Sequence, residues 1–199
     1  MGEPSRYDVG GDEADIRTNK LGIANPKTLE DAETILLSDA YTRFLGFLEK
    51  GKLPMDLRLI FDVHKYFLGP LYSWAGKIRT VNISKDGMLF IPTKNIPKAL
   101  KAFEKILNKN VPEENEPKKK IADKLAEIHC EFNAIHPFRE GNGRVIRLFL
   151  DLIALQVGYQ LIDFGKSSKK DYIQACVAGM QKDYGKMSKV IYKGLLKRK

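Results

Sequence analysis

Twelve consecutive residues, His136-Pro-Phe-Arg-Glu-Gly-Asn-Gly-Arg-Val-Ile-Arg147, concentrate most of the chemistry this chain can do. An imidazole with an ordinary pKa of ~6.5 accepts a proton at neutral pH, so His136 is a candidate general base. Gly141 and Gly143 bracket Asn142 just before the apolar run Leu148 to Leu155. A helix must start there, and its first N–H groups have no partners within the helix. Glycines allow a ligand to come close and permit positive φ, while free N–H groups and the helix dipole favour an anion. Arg144 and Arg147 fall in the first turns of that helix. This is the wrong end for cations, at ~0.3–1 kcal/mol each when exposed. Polyphosphate bound at the helix start would remove the conflict. Glu140 supplies the single carboxylate that Mg²⁺ needs when phosphates provide other ligands.

Each residue also has a purely structural reading. Arg147 could pair with Asp151 one turn further on, with Arg144 turned to water. His136 could stabilise the end of the preceding helix, and Glu140 could complement the start of the next. None of these explains the glycines. Phe138, between polar neighbours, is expected to dive into the core and fix the loop.

The elements that must position this loop are mostly helical. Lys118 to about Ala134 is amphipathic, with Ile121, Leu125, Ile128 and Phe132 on one face. Gly143 to about Gln156 is apolar nearly all round, which predicts a central buried helix ended by Gly158. Further helices are expected from Thr28 to Gly51, with Asp31 completing an approximate capping pattern, and from Met55 to Phe67. Others are expected over Ile96–Leu107, Lys170–Met180 and Tyr184–Leu196. The one convincing strand signal lies in residues 79 to 91, where Val81, Ile83, Leu89 and Ile91 flank an Asp86-Gly87 turn. Such a hairpin either packs on the helices or offers an exposed edge. Trp74 and its aromatic neighbours read as core. The fold class is all-α with one β-hairpin. Residues 1–27 read as a polar tail or strap and 28–199 as a single helical domain.

Composition narrows the classes. With 199 residues there is chain enough for one real core, and 43% hydrophobic content fits an ordinary globule. No apolar run approaches the ~20 residues of a bilayer span, so no membrane association is expected. The N-terminus lacks the pattern of a secretory signal. Cys130 and Cys176 form no framework and read as buried thiols in a cytoplasm. The net charge of +9 invites nucleic acid, but the lysines are scattered and nucleic acid is not required. Gly165-Lys166-Ser167 lacks the earlier glycine of a phosphate loop, Gln160 standing there. Asp163-Phe164-Gly165 has no accompanying kinase pattern. His129 and His136 match no zinc spacing, and His64 and His129 read as structural or surface residues.

Residues 136 to 147 resemble the Fic family signature His-x-Phe-x-(Asp/Glu)-Gly-Asn-Gly-Arg-x-x-Arg at every defined position. Trp74-Ala-Gly-Lys-Ile-Arg79 and the hairpin after it are similar to the family as well, and the likeness extends over about residues 28 to 190. It implies a Fic-type helical bundle that transfers AMP from ATP to a hydroxyl of a target protein, with Mg²⁺. His136 would be the base and Phe138 the anchor. Glu140 would hold the metal; Arg139, Gly141, Asn142, Gly143, Arg144 and Arg147 would bind the nucleotide phosphates. Ile83, Ser84, Lys85, Asp86, Gly87 and Met88 would form a flap that docks the target. The family's inhibitory motif, (Ser/Thr)-x-x-x-Glu-(Gly/Asn), is not met: Glu114-Asn115 is preceded four residues earlier by Asn110. The resemblance therefore implies a toxin restrained by a small helical antitoxin, whose glutamate would pair with Arg147. It also implies bacterial type II topoisomerase subunits as targets, in the cytoplasm of the producing or a recipient cell. The alternatives are other nucleotidyl or phosphoryl transfer on the same scaffold, or a non-enzymatic basic binding module.

Overall fold

The computed structural model describes residues 8–9, 18–51, 53–85 and 88–198. Seven helices are present among them: α1 (Pro26–Glu49), α2 (Leu57–Leu68), α3 (Ile96–Asn110), α4 (Lys118–Ile135), α5 (Asn142–Gln156), α6 (Lys169–Met180) and α7 (Gly185–Gly194). The protein is a helical bundle with a β-hairpin, as its patterning predicts.

Helix α5 is the most uniformly buried element of the core. Val145, Ile146, Leu148, Phe149, Leu150, Leu152, Ile153 and Ala154 are all buried, with α1, α2 and α4 packed around them. At ~1.5–3 kcal/mol per buried large apolar side chain, this helix is the largest single contributor to the core. Its all-round apolar sequence forbids any more peripheral position. Helix α4 fills the space between α3, α6 and α7, and its C-terminal end delivers His136 beside the start of α5.

Helix α1 starts earlier than the Thr28 signal implies. The Asn25 side chain accepts from Thr28 N at 3.1 Å, and Pro26 occupies the first position, where no N–H is needed. Asp56 caps α2 and Ser168 caps α6 in the same manner. Residues 71 to 77 form turns rather than a helix; Trp74 is half-buried there, stacked on Tyr72 at 4.5 Å.

The hairpin consists of β2 (Ile83–Lys85) and β3 (Met88–Leu89), antiparallel with Ser84 opposite Leu89. The Asp86-Gly87 turn lies outside the described residues. The outer edge of β2 is taken by β1 (Asp8–Val9), with Val9 opposite Ile83. The chain thus supplies its own third strand on that edge, a pairing between residues more than seventy positions apart that no local pattern encodes. The rest of the expected tail through residue 17 lies outside the described residues.

Candidate active site

His136 is the C-cap of α4, in the left-handed conformation at φ 48° and ψ 59°. Few non-glycine residues adopt it, and Pro137 disfavours a right-handed helical continuation at the preceding residue. The ring is buried and stacks on Phe90 of the hairpin's far side, centroids 3.9 Å apart. Nδ1 lies 3.0 Å from Asn133 O, a carbonyl that can only accept, so Nδ1 carries the ring proton and Nε2 is the basic nitrogen. Burial, aided by the charges of Arg79 and Lys85, pushes the imidazole pKa down to about 3, so it is neutral at physiological pH.

Three devices fix the loop between α4 and α5. Asn142 is wholly buried; its Oδ1 accepts from Phe138 N at 2.9 Å and its Nδ2 donates to Phe138 O at 2.8 Å. These two bonds staple the loop across its width and leave one Nδ2 hydrogen and the Asn142 backbone N–H at the helix start. Phe138 is buried as expected, stacked 3.7 Å from His64 and edge-on to Phe61.

His64 is the second device. Its Nδ1 accepts from Gly76 N at 2.7 Å, so Nε2 holds the proton and donates to Glu140 O at 3.0 Å. Burial pushes its pKa down to about 4, which keeps this tautomer neutral. The residue is structural, as the sequence suggests, and it ties the turn after Trp74 directly to the loop. Gly141 follows in the left-handed region at φ 82°, where an added Cβ would sit 2.8 Å from Leu68 Cδ1. Conformation and packing, before any ligand, explain this glycine.

Arg79 is the third. It is 2% exposed and donates from Nε to His136 O at 2.8 Å, from NH1 to Val81 O, and from NH2 to Ile91 O. Its own N–H donates to Pro137 O at 2.8 Å. One guanidinium thus joins both legs of the hairpin to the loop between α4 and α5. Its position in the motif-like stretch 74–79 gives no hint of this role, because two of the three carbonyl partners, His136 O and Ile91 O, are brought to it by the fold and only Val81 O is local.

The two arginines of α5 are held differently. Arg144 does not point to water: NH1 pairs with the buried Glu33 of α1, and NH2 lies 3.4 Å from Glu140 Oε1. Tyr72 donates to the other Glu33 oxygen at 2.6 Å. Carboxylates of the chain thus already offset Arg144 at the helix start, which the sequence reading leaves to a bound anion. Arg147 does not bond to Asp151, whose oxygens take Tyr41 OH at 2.7 Å and Ile162 N at 2.7 Å. Burial pushes the Asp151 pKa up to about 6. Arg147 NH1 instead donates to Tyr172 OH at 3.3 Å, and among the described residues it has no carboxylate partner. A Cβ on Gly143 would meet Arg147 NH1 at 3.5 Å, so this guanidinium lies over the start of α5.

Glu140 Oε1 accepts from Gly141 N at 2.7 Å and faces Arg144; among the described residues Oε2 accepts no hydrogen bond. One outward oxygen at a helix start suits Mg²⁺, which takes one or two carboxylates and leaves its other positions to phosphates and water. No group of three or more His, Cys, Asp or Glu side chains that could hold a metal ion occurs among the described residues. Arg139 is half-buried in the same loop.

The flap residues divide. Ile83, expected on the docking face, is 3% exposed and packs with Phe90, Val81 and Met180. Alternation along a strand puts only every second residue outward. Ser84 is half-buried and Lys85 exposed. Leu89, 81% exposed, is the outward apolar residue of the hairpin and was not among the expected docking residues. Asp86 and Gly87 lie outside the described residues, as does the side chain of Met88.

These features define a class: a helical protein in which a buried, neutral histidine precedes a helix N-terminus whose Arg147 has, among the described residues, no carboxylate partner. The chain belongs to the Fic/DOC family, whose model matches residues 54–154. It is 29% identical to protein adenylyltransferase VbhT of Bartonella schoenbuchensis over 187 residues, covering 92% of this chain and 38% of that protein. It is 32% identical to the probable protein adenylyltransferase Fic of Escherichia coli over 149 residues, covering 74% of this chain and 72% of that one. Among solved structures it is similar to the BepC protein of Bartonella tribocorum with bound AMPPNP. The TM-score is 0.74 at 23% identity, over 91% of this chain and 92% of that one. At that identity the likeness speaks to the fold. The family match stops at residue 154, so it leaves out Tyr172, which holds Arg147.

Proposed function

We propose that this chain is a Mg²⁺-dependent protein adenylyltransferase that moves AMP from ATP to a hydroxyl of a target protein. The observation that carries the reading is the pairing of His136, neutral with Nε2 as its basic nitrogen, with Arg147, which at the start of α5 has no carboxylate partner among the described residues. A base and an anion site side by side suit a hydroxyl nucleophile and a nucleotide. The relatives named protein adenylyltransferases support the same reaction class.

In this reaction the target hydroxyl oxygen forms a bond to the α-phosphorus while the bond from that phosphorus to the bridging α,β oxygen breaks. The hydroxyl proton passes to His136 Nε2, and pyrophosphate leaves. The N–H groups at the start of α5 hold phosphate oxygens, and Arg147 orients the outer phosphates. Glu140 would hold Mg²⁺, which when bound would supply positive charge to stabilise the phosphate oxygens. Positioning and charge stabilisation then supply most of the rate. The hairpin, with Lys85 and Leu89 outward, presents the target segment.

Control by an antitoxin is part of the same reading. Among the described residues no carboxylate of the chain occupies Arg147, so a glutamate supplied by a small helical partner would compete there with the outer phosphates. Bacterial type II topoisomerase subunits are the first targets to assay.

The test uses ATP labelled at the α- or the γ-phosphate, with Mg²⁺ and bacterial lysate. Label from the α-phosphate is expected on a protein and should vanish in His136→Ala. Label from the γ-phosphate would point to phosphorylation instead. Absence of transfer together with salt-sensitive DNA binding would replace the enzyme by a basic binding module.

A further inference from the structure

We propose that Tyr172 of α6 is a positioning residue that holds Arg147 toward the outer phosphates of the nucleotide without neutralising it; this rests on the nucleotide reading above. The contrast between the two arginines carries the inference. Arg144 is held by carboxylates, Glu33 and Glu140, so its charge is largely spent within the protein. Arg147 is held by a phenol. Its NH1 donates to Tyr172 OH at 3.3 Å, and its guanidinium carbon lies 5.9 Å from the ring centroid. A phenol oxygen orients a guanidinium as a carboxylate does but leaves its full positive charge for an incoming anion.

The phenol is itself fixed from beneath. Tyr172 OH lies 2.8 Å from Nε2 of the buried His129 on α4, and the two rings meet edge-on at 5.6 Å. Phe164 packs edge-on to the other side of the ring at 5.8 Å. Burial and the nearby Arg147 charge keep His129 neutral, so it adds no repulsion. Guanidinium nitrogens only donate, so in either histidine tautomer the Tyr172 oxygen is the acceptor for Arg147. His129 Nδ1 is buried with no hydrogen-bond partner among the described residues. A leucine would fill that space without leaving a polar atom unsatisfied, so packing alone does not account for a histidine there.

Tyr172→Phe tests this, because it keeps the ring packing and removes only the oxygen. The readout is the affinity of the purified protein for Mg·AMPPNP and, separately, for AMP, by calorimetry. Losing one charge-assisted hydrogen bond should weaken AMPPNP about three- to tenfold and leave AMP within about twofold. Introduced into Arg147→Ala, the same change should have no further effect on AMPPNP, since the two residues act as one unit. Equal weakening of both ligands, or an additive loss in the Arg147→Ala background, overturns the proposal. So does unchanged AMPPNP affinity with only a lowered Tm, which is the behaviour of a packing residue. If Arg147→Ala itself leaves AMPPNP affinity intact, the phosphate role of Arg147 has failed, and this proposal with it. If Arg147→Ala weakens AMPPNP and Tyr172→Phe does not, only the Tyr172 proposal fails.

Discussion

Arg144 on α5 pairs with Glu33 on α1, a carboxylate 111 residues earlier in the chain. The pair is little exposed, and Tyr72 donates to the second Glu33 oxygen at 2.6 Å. Removing that carboxylate takes away the shorter of the two carboxylate contacts of Arg144 and leaves Glu140 at 3.4 Å, at the positive end of a helix. Glu33→Ala should therefore cost about 2–3 kcal/mol, below the range for a buried charge left wholly uncompensated. Glu33→Gln, which keeps an acceptor for Tyr72, should cost less. Urea unfolding gives both values; a loss under ~0.5 kcal/mol for Glu33→Ala would mean that the pair is in effect solvated.

All three histidines of the chain are buried, and burial lowers the pKa of each: His64 to about 4, His129 and His136 to about 3. In the unfolded chain they titrate near ~6.5. A depressed folded value means that the unfolded state binds more protons, so stability is fully present above ~6.5 and falls as pH drops toward the folded values. Asp151 works the other way: raised to about 6, it takes up a proton in the folded state first. Two protons net remain, so stability should fall by roughly 2–3 kcal/mol per pH unit between about pH 6 and 4. Tm measured across that range should drop steadily. A flat profile would mean that the imidazoles are hydrated in solution.

The helices of the core and the loop chemistry were legible because both are local. The three- and four-residue spacing through Ile121, Leu125, Ile128 and Phe132 fixes α4, and the unbroken apolar run fixes α5. What was not legible lies in contacts between distant segments. Nothing near Glu33 marks it as the partner of Arg144, and nothing near Tyr172 marks it as the partner of Arg147. Asn142 shows the converse: its place between two glycines suggests a ligand contact, yet its side chain spans the loop to Phe138.

Arg79 offers the sharpest test of how the hairpin and the base are joined. Arg79→Met keeps the methylene stem and removes the donors to His136 O, Val81 O and Ile91 O. Each buried carbonyl left without a donor costs ~1–3 kcal/mol, so a loss of about 3 kcal/mol or more is expected. At a temperature where the variant is still folded, AMP transfer should fall about a hundredfold, because small displacements of a base are that costly. AMPPNP affinity should change by less than about threefold, since the phosphate site on α5 is not touched. A parallel loss of nucleotide affinity would show that Arg79 supports the whole loop rather than its hairpin side.

Gly141 and Gly143 look equivalent in the sequence and should behave differently on substitution. Gly141 sits at φ 82°, and a Cβ there would lie 2.8 Å from Leu68 Cδ1. An alanine must carry the left-handed penalty of ~1–2 kcal/mol and, in addition, the overpacking cost of ~1–3 kcal/mol. Gly141→Ala should thus destabilise the fold by about 2–5 kcal/mol in denaturant unfolding. Gly143 has ordinary helical geometry, and its Cβ would meet only Arg147 NH1, at a normal contact distance of 3.5 Å. Gly143→Ala should leave stability within ~0.5 kcal/mol or raise it slightly, alanine being the better helix former. It should still weaken AMPPNP binding, because the methyl group occupies the space between the helix start and the guanidinium where phosphate oxygens are proposed to lie. A destabilised Gly143→Ala with intact nucleotide affinity would reverse that assignment and make both glycines structural.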